Sequence, residues 1–109
     1  MATSYKVLGQ SNPSATTATT LYTVPSATQT VVSTLAVANT GSTATTYRVA
    51  IRVNGATLNT AQYLAYDVSL GGNDAAMLTL GLSLNAGDIV TVYAGNANLA
   101  FSLFGSEIT

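Results

Sequence analysis

A chain of 109 residues builds one domain around a single core and is too short for two. Its three basic and four acidic residues amount to 6% charge and a net charge of −1, against about a quarter charged in ordinary soluble domains; that excludes a nucleic-acid partner, which needs clustered Lys and Arg to displace counterions. Cysteine and histidine are both absent, which excludes disulfides, thiolate metal sites and Cys nucleophiles, and removes the commonest general base and metal ligand.

The opening residues lead into no apolar run of the signal-peptide kind, and Ala2 stands where myristoylation requires Gly. No stretch supplies the roughly 20 apolar residues of a bilayer span. The expectation is a soluble protein made in the cytoplasm, with no membrane partner. Residues 4–10 form a plausible first strand. Residues 11–20 are small and polar around Pro13 and are expected to be a loop or extended connector, ordered against a partner. A short strand over 21–25 ends at Pro25, which cannot donate to a ladder. Over 29–39 both faces are apolar, as in a central sandwich strand.

Residues 45–70 set the pattern for the chain. Tyr47, Val49, Ile51 and Val53 alternate with Arg48, Ala50 and Arg52, a period of two that belongs to a strand with one buried face. Asn54-Gly55 breaks that run, since both tolerate positive φ. Alternation resumes over 63–70 and predicts Leu64, Tyr66, Val68 and Leu70 inward with Asp67 outward. Gly71-Gly72-Asn73-Asp74 is a turn, and Leu78, Leu80, Leu82 and Leu84 form one apolar stripe. Strands over 89–94 and 99–104 complete the count. About eight short strands between turn signals, with no helical period, predict an all-β fold: one antiparallel β-sandwich or jelly roll.

Little in this chain supports catalysis. No serine sits in a G-x-S-x-G elbow, and Lys6 or a carboxylate is the only available base. Asp74 and Asp88 fall in or beside turns, where Asp bonds local backbone; a calcium site from Asn73, Asp74, Asn85 and Asp88 requires their two loops to meet at one end of the sandwich. No Gly-rich element precedes a helix, so phosphate binding is unsupported. Neither an enzyme nor a cofactor is expected. Strand parity places Tyr47, Tyr66 and Phe101 in the core and leaves Tyr22, Tyr63 and Tyr93 exposed, a weak basis for stacking on carbohydrate.

Thr, Ser, Asn, Gln and Ala fill the outward positions, and a surface this neutral loses little desolvation energy when covered. That favours an oligomer or larger assembly. Arg48, Arg52 and Asp67 are expected on one exposed face, with Tyr63 nearby, as the candidate interface: an ordinary solvated cluster or a set of pairs across a subunit boundary.

Leu21-Tyr22-Thr23-Val24-Pro25, Ala44-Thr45-Thr46-Tyr47-Arg48-Val49-Ala50, Tyr63-Leu64-Ala65-Tyr66-Asp67-Val68 and Phe104-Gly105-Ser106-Glu107-Ile108 carry a resemblance to small virion structural proteins of tailed phages, cyanophages among them. It extends over nearly the whole chain, and its motifs are structural rather than catalytic. Within such phages a protein of this type resembles a capsid decoration (cement) protein, or less often a tail, baseplate or fibre component. The resemblance implies the phage major capsid protein as partner, a place on the capsid exterior, and a homotrimer matching three-fold lattice positions. Contacts to that capsid are then expected in the termini and the 11–20 connector, which would add a strand to a neighbour's edge. A carbohydrate-binding module is the competing expectation from another class.

Overall fold

The computed structural model describes residues 2–109. Its eight strands are β1 (Thr3–Ser11), β2 (Thr19–Thr23), β3 (Gln29–Asn39), β4 (Thr45–Arg52), β5 (Tyr63–Leu70), β6 (Ala75–Leu84), β7 (Ile89–Ala94) and β8 (Leu99–Ile108). They form two four-stranded antiparallel sheets, ordered β1-β8-β3-β6 and β2-β7-β4-β5. Pairing is nested: β4 with β5, β3 with β6, β2 with β7 and β1 with β8. The chain is thus one long hairpin rolled so that its arms alternate between the sheets, with β3–β8 and β4–β7 ladders closing each one. An all-β sandwich of eight strands was expected, and this winding makes it a jelly roll.

The core lies between the sheets. Val32, Leu35 and Val37 of β3 and Leu99, Phe101 and Leu103 of β8 meet Tyr47 and Val49 of β4 and Val90 and Val92 of β7. Tyr47 and Phe101 cross this layer edge to face, ring centres 6.4 Å apart, an arrangement favoured by the ring quadrupoles. The Leu stripe of β6 also faces inward, although only Leu84 is fully buried because β6 is an edge strand. At one end of the sandwich the buried Asn39 ties loop to strand: its Nδ2 donates to the Thr43 and Gly71 carbonyls, and its Oδ1 accepts from the Gly41 N–H.

Parity changes where strands bulge, and those are the positions where simple alternation misplaces side chains. In β2 one extra residue lies between the Thr20 and Tyr22 pairings, so consecutive Leu21 and Tyr22 are both buried; Tyr22 is not exposed as its parity predicted. In β5 the extra residues fall at Leu64 and across Tyr66-Asp67, and Asp67 takes a φ of 52°. As a result Leu64 and Tyr66 are exposed and Ala65 packs on the core instead. Val68 keeps the phase of its partner Tyr47 but is exposed on this edge strand, so only Leu70 of the predicted inward set is buried. Val53 is not inward either. It leaves β4 in a 3₁₀ turn that closes on Asn54 and Gly55, both at positive φ, and its side chain is exposed.

The connector between β1 and β2 shortens to residues 12–18 and is bound to its own chain. Asn12 Nδ2 donates to the Ala97 and Leu99 carbonyls, and the Thr16 N–H donates to the Ala94 carbonyl.

Candidate functional site

The outward face of β4, β5 and β7 carries the densest group of functional side chains. Register places Arg48 of β4 beside Tyr93 of β7, and Ala50 between Thr91 of β7 and Tyr63 of β5. The bulge of β5 turns Asp67 and Tyr66 toward Arg48. The Arg48 Nε donates to Asp67 Oδ1 at 2.7 Å and its Nη2 donates to Oδ2 at 3.3 Å, so the pair is two-pronged. The same guanidinium lies 4.2 Å from the ring centres of both Tyr66 and Tyr93, where the negative ring faces attract it. Tyr63 completes the group by meeting Tyr66 edge to face at 4.9 Å. Under these long side chains Ala50 is only 1% exposed although it points away from the core.

Of the expected cluster, Arg48, Asp67 and Tyr63 come together and Arg52 does not. The Arg52 Nε and Nη2 donate to the Ala56 and Gly55 carbonyls, so its charge secures the turn after β4. Tyr66, which parity assigned to the core, is 55% exposed and belongs to the group, as does Tyr93. The signal for Tyr66 lay in the Tyr63-x-x-Tyr66-Asp67 spacing, which places both rings on one side only if the strand bulges. Beside Tyr63 and Tyr66 an open groove of about 560 Å³ is lined also by Leu58, Asn59 and Thr60. The Asn59 side chain serves the loop itself: its Oδ1 accepts from the Ala61 N–H, and Gln62 Oε1 accepts from the Asn59 N–H.

Compared with protein-family models, curated proteins and solved structures, the chain matches none.

The remaining charged groups are structural. Asn73 and Asp74 precede β6 while Asn85 and Asp88 follow it, so the ten residues of β6 hold the two loops about 30 Å apart and the calcium site does not assemble. Asp88 instead accepts the backbone N–H groups of Asn54 and Asn85, and Asp74 that of Ala75. At the end of the sandwich where β2 meets β8, Tyr22 bridges the sheets. Its hydroxyl donates to Glu107 Oε2 and sits 2.8 Å from Thr30 Oγ1, while the Lys6 ammonium pairs with Glu107 Oε1. Burial and the neighbouring carboxylate push the Tyr22 hydroxyl up to about 12. Lys6 first, and Tyr22 second, hold the Glu107 carboxyl below its ordinary value.

A folded-state value below the unfolded one gives stability that is complete above the unfolded carboxyl range, about 4.3, and is lost as pH falls through the folded value. Melting temperature followed from pH 7 to pH 2 should therefore drop more steeply for the wild type than for Glu107→Gln, with the excess drop falling below about pH 5. Parallel curves would refute the Lys6–Glu107–Tyr22 latch.

Proposed function

We propose that the chain is a non-enzymatic structural protein of a tailed-phage virion, a decoration protein that binds the assembled capsid shell as a homo-oligomer. The observation that carries this reading is the group formed by Arg48, Asp67, Tyr66 and Tyr93, held ready on a surface with almost no other charge. Tyr and Arg dominate the energetic centres of protein interfaces, and side chains already fixed in place lose little entropy on binding. A neutral rim of Thr, Ser and Asn seals such a centre without a desolvation penalty for charge. The jelly roll itself supplies a rigid platform, and several copies bridging several shell subunits combine weak contacts by multivalency. A ligand of the assembled shell alone stabilises that shell by mass action.

Sedimentation of the purified protein with capsid heads that lack it is the direct test. Co-pelleting with heads, together with no association with unassembled capsid subunits, is the expected result. A carbohydrate-binding module is the second reading, favoured by the groove beside Tyr63 and Tyr66. The Asn59 amide in that groove is spent on its own loop and no Trp is present for sugar stacking, which is why the protein partner is preferred. Glycan binding by the isolated domain with no head binding would reverse that order.

A further inference from the structure

The opposite outer face, on the sheet β1-β8-β3-β6, has a different character. Cross-strand register sets Tyr5 beside Ser106 and Val7 beside Phe104, Ser106 beside Val31, and Met77 beside Ala36. Tyr5 is 85% and Met77 69% exposed, and Val7 and Val31 are exposed as well. Over β1, β8 and β3 these residues line an open groove of about 540 Å³, in which the sole charge among the described residues is Lys6, already paired with Glu107. Exposed apolar area gathered on one face in this way marks an interaction surface.

We infer that this face is a self-association surface, occupied by a second copy of the same chain about a two-fold axis. Three features select that occupant. First, a partner that recognises by charge finds nothing to pair with here, whereas two copies of a neutral face meet without opposed like charges. Second, the face carries both halves of a fit, since Met77 projects from β6 while the groove lies over the other three strands. A two-fold axis in the plane of contact, between Met77 and the groove, seats each copy's Met77 in its partner's groove, as isologous contacts require. Methionine suits that role because its unbranched thioether adapts to irregular gaps. Third, the size suffices: four strands about 4.8 Å apart and about nine residues long offer roughly 550 Å² per copy, and two copies pass the ~1,000 Å² at which specific interfaces begin. The group around Arg48 lies on the other outer face and stays free. This pairing rests on the face alone and not on the capsid reading, and it differs from the three-fold assembly implied by the resemblance.

Light scattering on a sizing column, with purified protein and no heads present, tests it. The expected mass is twice the 11.1 kDa of one chain. Met77→Glu places a charge from each copy in its partner's groove and is expected to weaken pairing at least tenfold, about 1.4 kcal/mol, at unchanged circular dichroism. Arg48→Ala, on the opposite face, should leave the mass unaltered. A one-chain mass, a three-chain mass, or a pair indifferent to Met77→Glu overturns the inference. Because no head is involved, failure here leaves head binding by the Arg48 face standing, a one-chain mass removing only its oligomer in solution, and failure of head binding leaves the pair standing.

Discussion

Phe101→Ala is expected to destabilise the domain by about 3–5 kcal/mol, a large share of the roughly 5–15 kcal/mol that holds a chain of this size folded. Phe101 lies in β8, paired on one side with β1 and on the other with β3, and it is among the largest fully buried side chains. Truncation removes its transfer free energy and also leaves a cavity, because ladders on both sides keep the backbone from closing over the gap. Tyr47 loses the ring it meets edge to face, and with it an aromatic contact that joins the two sheets through the core. At about 4–8 °C per kcal/mol for a domain near 100 residues, the melting temperature should fall by more than about 12 °C. Leu64→Ala is the control: Leu64 is 47% exposed in an edge strand, so its loss should stay within about 0.5 kcal/mol. Urea denaturation separates the two cases, and equal losses would mean that the sheets do not pack through Phe101.

What the sequence disclosed about this architecture follows from where period-two alternation is intact. The run from Tyr47 to Ile51 reads correctly because β4 pairs with β7 without a register break. The turn at Asn54-Gly55 reads correctly because these residue types take the positive φ found there. Strand order stayed hidden, since alternation tells which side chains are inward and nothing of which strand is adjacent. The bulges were hidden too. Asp67 at positive φ has no local sequence signal as strong as glycine's, yet it re-phases β5 and moves Tyr66 from the expected core to the surface. Gly81 is the counter-example, a glycine at positive φ in the bulge of β6, where an isolated Gly in a strand pattern does point to such a break. The phase error in β5 hid Tyr66 from the candidate site, whereas Arg48 and Asp67 were visible as charges and Tyr93 as an exposed ring whose place beside Arg48 depended on strand order.

Removal of that guanidinium gives the second large effect, and it falls on binding rather than folding. Arg48→Ala is expected to weaken association with capsid heads about 30-fold or more, the 2 kcal/mol or greater that defines an interfacial hot spot. Its effect on stability should be much smaller, because an exposed ion pair contributes about 0–1 kcal/mol and the Asp67 side chain remains substantially solvated. Arg48→Lys should fail to restore binding. An ammonium can hold one carboxylate oxygen, but it lacks the planar fork that engages both Asp67 oxygens while lying against Tyr66 and Tyr93. Tyr66→Ala should cost less than Arg48→Ala, and the double variant less than the sum of the two, since both act through one stack. Arg52→Ala is the matched control of equal charge: its guanidinium is committed to the Ala56 and Gly55 carbonyls, so it should alter the turn after β4 and leave head affinity within about twofold. If Arg48→Ala and Arg52→Ala weaken binding equally, the contribution is net charge alone and the stack is not the anchor. If neither weakens it, the capsid contact lies on another face.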